Sequence, residues 1–198
     1  MRLSNERYEE IKETICEFLC DYDVKKLPVD VFDLARRMKV KIVYASEILK
    51  KYPNKINEYM IYSYPHSYLY YDAVEQRFII YLDDVGTKKR RQRFSLAHEL
   101  IHIILGHTEQ NLKNESEANF GATYLLAPTC LALMDQGALE MFDPNILMEI
   151  FDVSYSEAQI VARYFENRVF YDNPIQPYEK ELIARFGKSF IKRFKIYK

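Results

Sequence analysis

Residues His98-Glu99-Leu100-Ile101-His102 spell H-E-x-x-H inside a segment, Lys88 to Leu105, whose apolar spacing reads as helix. Positions i and i+4 share a helix face, so both imidazoles can reach one ion while Glu99 stands beside them. Two histidines do not complete a tetrahedral zinc site. The motif therefore requires a third protein ligand and leaves a fourth position open to water. The chemistry is that of a zinc hydrolase. Zinc brings the pKa of bound water towards ~7; Glu99 would take the proton as that water attacks a peptide carbonyl, then return it to the leaving nitrogen. With 17 tyrosines, His66 and His107 in the chain, the sequence singles out no further oxyanion donor. His107, just past Gly106, is expected in a turn as a structural or solvent-exposed residue.

The third ligand should be a carboxylate, His or Cys on a neighbouring element. The first helix carries an apolar stripe through Phe94, Ala97, Ile101 and Leu105, with His98 and His102 beside it at the edge of the core. A buried histidine pair lacking a partner is costly to desolvate, whereas a metal uses both rings. Downstream, Glu115 and Glu117 open a second helix that runs to Leu126 and is closed by Pro128. Glu115 lies on a stripe with Ala118, Ala122 and Leu125, and the small alanines would let two helices approach closely. Glu117 instead makes a capping-box-like N-x-x-E with Asn114. Glu115 could also serve only as a first-turn acid favoured by the helix dipole. The stripe favours Glu115, with Glu117 as the alternative.

Other elements must position this pair of helices. Ser4 to Leu19 has a helical period in Tyr8, Ile11, Ile15, Phe18 and Leu19. Leu27-Pro28-Val29-Asp30 restarts the chain, and Val31 to Met38 reads as a helix with Pro at its beginning. Val40–Tyr44, Glu58–Tyr64, Tyr68–Asp72 and Arg77–Leu82 are β-rich runs expected to form an antiparallel sheet. Gly106 is placed to end the H-E-x-x-H helix. Shorter helical segments are expected near Thr129–Gln136, Asn145–Phe151 and Ser154–Asn167, then a basic helical tail. The fold expected is α+β: a small antiparallel sheet packed on the H-E-x-x-H helix and a second ligand-bearing helix. Residues 1–170 would form the domain, and residues 171–198 a basic helical extension packed on it or flanking it.

At 198 residues, 48% of them hydrophobic, the chain can bury a substantial core. A net charge of −1 argues against a chain that coats nucleic acid all over. The start is charged and lacks an apolar stretch, and no apolar run approaches the ~18 residues needed to cross a bilayer. A cytoplasmic location without membrane attachment is expected. Three cysteines do not make a disulfide framework; Cys16 and Cys20 are expected to be packing residues.

Several of these stretches together resemble one family. Arg90-Arg91-Gln92-Arg93-Phe94-Ser95-Leu96-Ala97 leads into the motif, and Glu115, Ala118-Asn119, Leu125-Leu126 and Pro128 follow at set spacing. This is similar to the ImmA/IrrE-type zinc metallopeptidases, whose pattern couples H-E-L-G-H with a later E-x-x-A-N-x-F-A-x-x-L-L-x-P. Leu27-Pro28-Val29-Asp30-Val31, Ile79-Ile80-Tyr81-Leu82 and Phe151-Asp152-Val153-Ser154 extend the resemblance over about Leu3 to Arg168. It implies His98, His102 and Glu115 as zinc ligands and Glu99 as catalytic acid/base. It also implies an intracellular regulatory protease that cleaves a separate helix-turn-helix repressor, often encoded beside it, to derepress a mobile element or stress-response genes. The chain departs from the pattern twice. Ile101 stands for the family's Gly, adding bulk at the helix interface but removing no ligand. Phe120-Gly121 stands where the family has a variable residue and then Phe.

Two other classes of function compete. One is a non-catalytic, zinc-stabilised regulator in a toxin–antitoxin-like pair. The other is a DNA-binding protein using Lys88-Lys89-Arg90-Arg91, Arg93 or the tail Pro177–Lys198. Such basic runs are more often solvated faces. Phe151 to Arg163, with Ser156, Gln159 and Arg163 as possible base readers, looks only loosely like half of a helix-turn-helix. DNA binding is not favoured.

Overall fold

Short runs rich in Ile, Tyr and Phe form the sheet, and longer runs of helical period form the helices. The computed structural model describes residues 2–52, 66–134, 142–171 and 174–197. It has two compact units, Asp30–Leu100 and Met1–Val29 with Ile101–Lys198.

Helix α1, Asn5–Asp21, precedes the first unit in the chain, and that unit begins at α2, Val31–Arg37. Asp30 caps α2, its carboxylate accepting from the Phe32 and Asp33 amides at 3.1 and 3.0 Å. Pro28 thus stands before the cap rather than in the helix's first turn. Strand β1 (Lys41–Tyr44) runs directly into helix α3 (Ala45–Lys51), and β2 (Ser67–Asp72) and β3 (Arg77–Leu82) follow. The sheet order is β1-β3-β2. Strands β2 and β3 are antiparallel, with Tyr68 opposite Tyr81 and the two rings 6.5 Å apart. Asp72 closes their turn by accepting from the Val74 and Glu75 amides. The expectation of an antiparallel sheet is corrected at β1, which pairs with β3 in parallel, Ile42 opposite Ile80. A tight turn can join only antiparallel neighbours, and β1 is followed by a helix instead. Central β3 buries Ile79, Ile80 and Leu82. The expected strand Glu58–Tyr64 lies outside the described residues.

Helix α1 (Asn5–Asp21) belongs to the second unit. Ser4 caps it, and Ile11, Ile15 and Leu19 are fully buried. Helix α4 (Lys89–Ile104) carries the motif. Then come α5 (Leu112–Leu126), a 3-10 turn (Thr129–Met134), α6 (Pro144–Phe151), α7 (Tyr155–Phe170) and α8 (Glu179–Tyr197). The end of the expected segment Thr129–Gln136 is outside the described residues. Phe151, Phe165 and Phe190 meet with ring centroids 6.0 to 6.5 Å apart, joining α6, α7 and α8. Helix α8 buries Leu182, Phe186, Phe190 and Phe194 along one face, so the basic tail is an amphipathic core helix. Among the described residues, no helix is long and apolar enough to cross a membrane.

Candidate metal centre

Helix α4 is buried more widely than its predicted stripe. Ala97 and Ile101 are buried as expected, Phe94 is only half-buried, and Leu96 and Leu100 are fully buried too. Arg93, inside the basic run, is also buried, at 8% exposure, and Arg91 lies over the Phe94 ring at 5.7 Å. That run is therefore not simply a solvated face.

The helix ends as Gly106 predicts. Gly106 has φ +67°, the left-handed region that Gly enters without Cβ cost. Its amide bonds to the Ile103 carbonyl at 3.1 Å, and the His107 amide bonds to the His102 carbonyl at 2.9 Å. This pair of bonds is a Schellman motif. It folds His107 back against the histidine one turn inside the helix.

Helix α5 begins one turn before Glu115. Its cap is Asn111, which accepts from the Asn114 amide at 2.9 Å. Asn114 is thus already helical, and its side chain donates to the Glu109 carbonyl. The expected Asn114–Glu117 capping box is not formed. Glu115 falls in the first turn on the stripe with Ala118, Ala122 and Leu125, all three fully buried.

His98, His102 and Glu115 come together: one donor atom from each lies within 4.8 Å of the others. His102 Nε2 and Glu115 Oε1 are 3.5 Å apart. His102 is buried, and the other two are half-buried. Two imidazoles and a carboxylate at this spacing suit a divalent metal ion. Glu117 does not join them. Glu117 is 1% exposed, and its carboxylate is held by Arg7 and His107. The Arg7 guanidinium keeps its pKa below the usual carboxylate range. Glu99, between the two histidines, is 7% exposed and accepts from Ser67 Oγ at 2.7 Å.

Ser67, Arg7 and His107 are the residues that sequence reasoning missed. Ser67 sits at the head of β2, with no motif to mark it. His107 is in the expected turn, but its side chain is only 6% exposed. Among the described residues, the buried Nδ1 of His66, next to Ser67, has no hydrogen-bond partner. Burial and the neighbouring Arg91 charge lower its pKa.

The two departures from the family pattern turn out to be one. A Cβ built on Gly121 would lie 2.7 Å from Ile101 Cγ2 and 3.2 Å from two more Ile101 carbons. The branched side chain on α4 fills the space that Gly121 leaves on α5.

A mixed α+β chain with a His/His/Glu donor group on two successive helices has the make-up of a metallopeptidase-type protein. The chain belongs to the peptidase family described as the IrrE N-terminal-like domain, whose model matches residues 35–161. The matched span contains His98, Glu99, His102 and Glu115; Arg7 and α8 lie outside it. No curated protein and no solved structure matches the chain.

Proposed function

We propose that this protein is a zinc-dependent endopeptidase in which His98, His102 and Glu115 hold the metal and Glu99 is the general acid and base. The supporting observation is the three-residue donor group, every donor within 4.8 Å of the others, with a buried carboxylate at the intervening position. When bound, zinc supplies Lewis acidity and a water acidic enough to attack at neutral pH. Glu99 accepts the proton of the attacking water and passes it to the leaving nitrogen. Ser67, donating to Glu99 Oε1, fixes the direction in which that carboxylate points. Low exposure keeps bulk water from screening the transfer.

The substrate we propose is a helix-turn-helix repressor in the cytoplasm, cut to relieve repression of a mobile element or of stress genes. This reading follows from the family, whose members act in that way by the resemblance described above. DNA is not the proposed partner. Incubation with the helix-turn-helix protein of the neighbouring gene, with and without chelator, tests it; mass spectrometry locates the cut. Glu99→Gln should keep zinc and lose cleavage by about 10²–10⁴-fold. Cleavage retained in that variant would remove Glu99 from its role. A wild-type protein that binds the repressor but leaves it intact would favour the non-catalytic regulator.

A further inference from the structure

A line of polar side chains leads from the metal-facing histidine into the unit formed by α1 and α5. Arg7 on α1 donates to Glu117 on α5 through both arms, Nε to Oε1 at 2.9 Å and Nη2 to Oε2 at 2.5 Å. Glu117 Oε2 is 3.1 Å from His107 Nε2. His107 Nδ1 is 3.0 Å from His102 Nδ1, and the far nitrogen of His102, Nε2, is the one that faces Glu115.

We infer that Arg7, Glu117 and His107 act as positioning residues that fix His102 in the tautomer able to bind a metal through Nε2. The directions of the hydrogen bonds follow from the chemistry of each member. A carboxylate forked by a guanidinium is ionised and can only accept. His107 must then carry its proton on Nε2 to donate to Glu117. A neutral imidazole has one donor and one acceptor, so His107 Nδ1 is a lone pair. That lone pair accepts from His102 Nδ1–H, which leaves His102 Nε2 bare. Reversing the line would place the proton of His102 on Nε2 and block ligation. Ligating histidines commonly donate their second N–H to a carboxylate or carbonyl. Here a second histidine stands between ligand and carboxylate, and the Gly106 turn puts it there. Glu117 is two residues past Glu115, so one helix presents the proposed ligand and the carboxylate that orders the other ligand.

This inference rests on the metal reading above, and two measurements keep the failures of each apart. In the metal-free wild-type chain, nitrogen-15 chemical shifts of the neutral rings should show His102 as the Nδ1–H tautomer and His107 as the Nε2–H tautomer. His102 found as the Nε2–H tautomer would overturn the inference, whatever the metal does. Zinc affinity by competition with a chromophoric chelator should fall about 10–100-fold in His107→Phe. His107→Gln, which can still accept and donate, should recover part of that loss. A folded His107→Phe with wild-type affinity would overturn the inference while leaving the metal reading intact. Wild type that binds no zinc, or His98→Ala that binds as well as wild type, would overturn the metal reading instead. Should His107→Phe fail to fold, the tautomers of the wild-type chain decide the matter.

Discussion

Ile101 and Gly121 show how tightly single residues are specified around the motif. Ile101 is fully buried, so it has no room to yield to a methyl group whose carbon would sit 2.7 Å away. Gly121→Ala should therefore cost about 1–3 kcal/mol in denaturant unfolding. Ile101→Ala should remove most of that cost when the two are combined, giving a coupling that a double-mutant cycle reads directly. Purely additive effects would contradict the interlocking. The cysteines offer a second residue-level test. Burial pushes the Cys16 thiol up to about 12 and raises Cys130 and Cys20 as well. Cys16 and Cys130 are buried and Cys20 only half-buried, so access should make Cys20 the first to be alkylated in the native chain. At this scale the meeting of His98, His102 and Glu115 was legible, because helical spacing puts the two histidines on one face of α4 and Glu115 on a small-residue stripe of α5. Ser67 and Arg7 were not. Arg7 meets Glu117 across 110 residues of chain, and no local pattern encodes that meeting.

Helix ends decide where the functional side chains point. Gly106 at φ +67° lets the chain leave α4 and bring His107 under His102. Gly106→Ala should lose about 1–2 kcal/mol of stability, since any Cβ in the left-handed region is disfavoured, and unfolding curves would show it. No loss would mean that the turn tolerates a side chain there. The glycine stop was readable from sequence, as was the existence of α5. The start of α5 was not, because Asn111 and Asn114 are both competent caps and only tertiary contact chooses between them. With Asn111 as the cap, Glu117 lies in the second turn rather than the first, where Arg7 and His107 meet it. The sheet shows the same limit. Its strands were visible as β-rich runs, but the partner of β1 depends on the path taken after α3, which alternation does not record.

Across the whole chain, the basic tail is an integral part of the fold. Glu179, fully buried, pairs with Arg168, itself 5% exposed. It also accepts from the Tyr124 hydroxyl at 3.2 Å and the Gln176 amide at 2.9 Å. Glu179→Ala should cost about 3–5 kcal/mol, because a buried guanidinium is left uncompensated. Arg193 is committed as well, donating to the Ile150 and Glu149 carbonyls at the end of α6 at 2.8 and 2.5 Å. Cations used as helix caps are poorly available to phosphates. Composition revealed the positive charge of the tail but not these internal acceptors. The metal centre remains the claim on which the rest depends. Zinc bound per chain after equilibrium dialysis, read by elemental analysis, tests it most directly. One equivalent is expected in wild type and in Glu99→Gln, with binding lost in His98→Ala and Glu115→Ala. Wild type without zinc, or His98→Ala retaining it in full, would contradict the account.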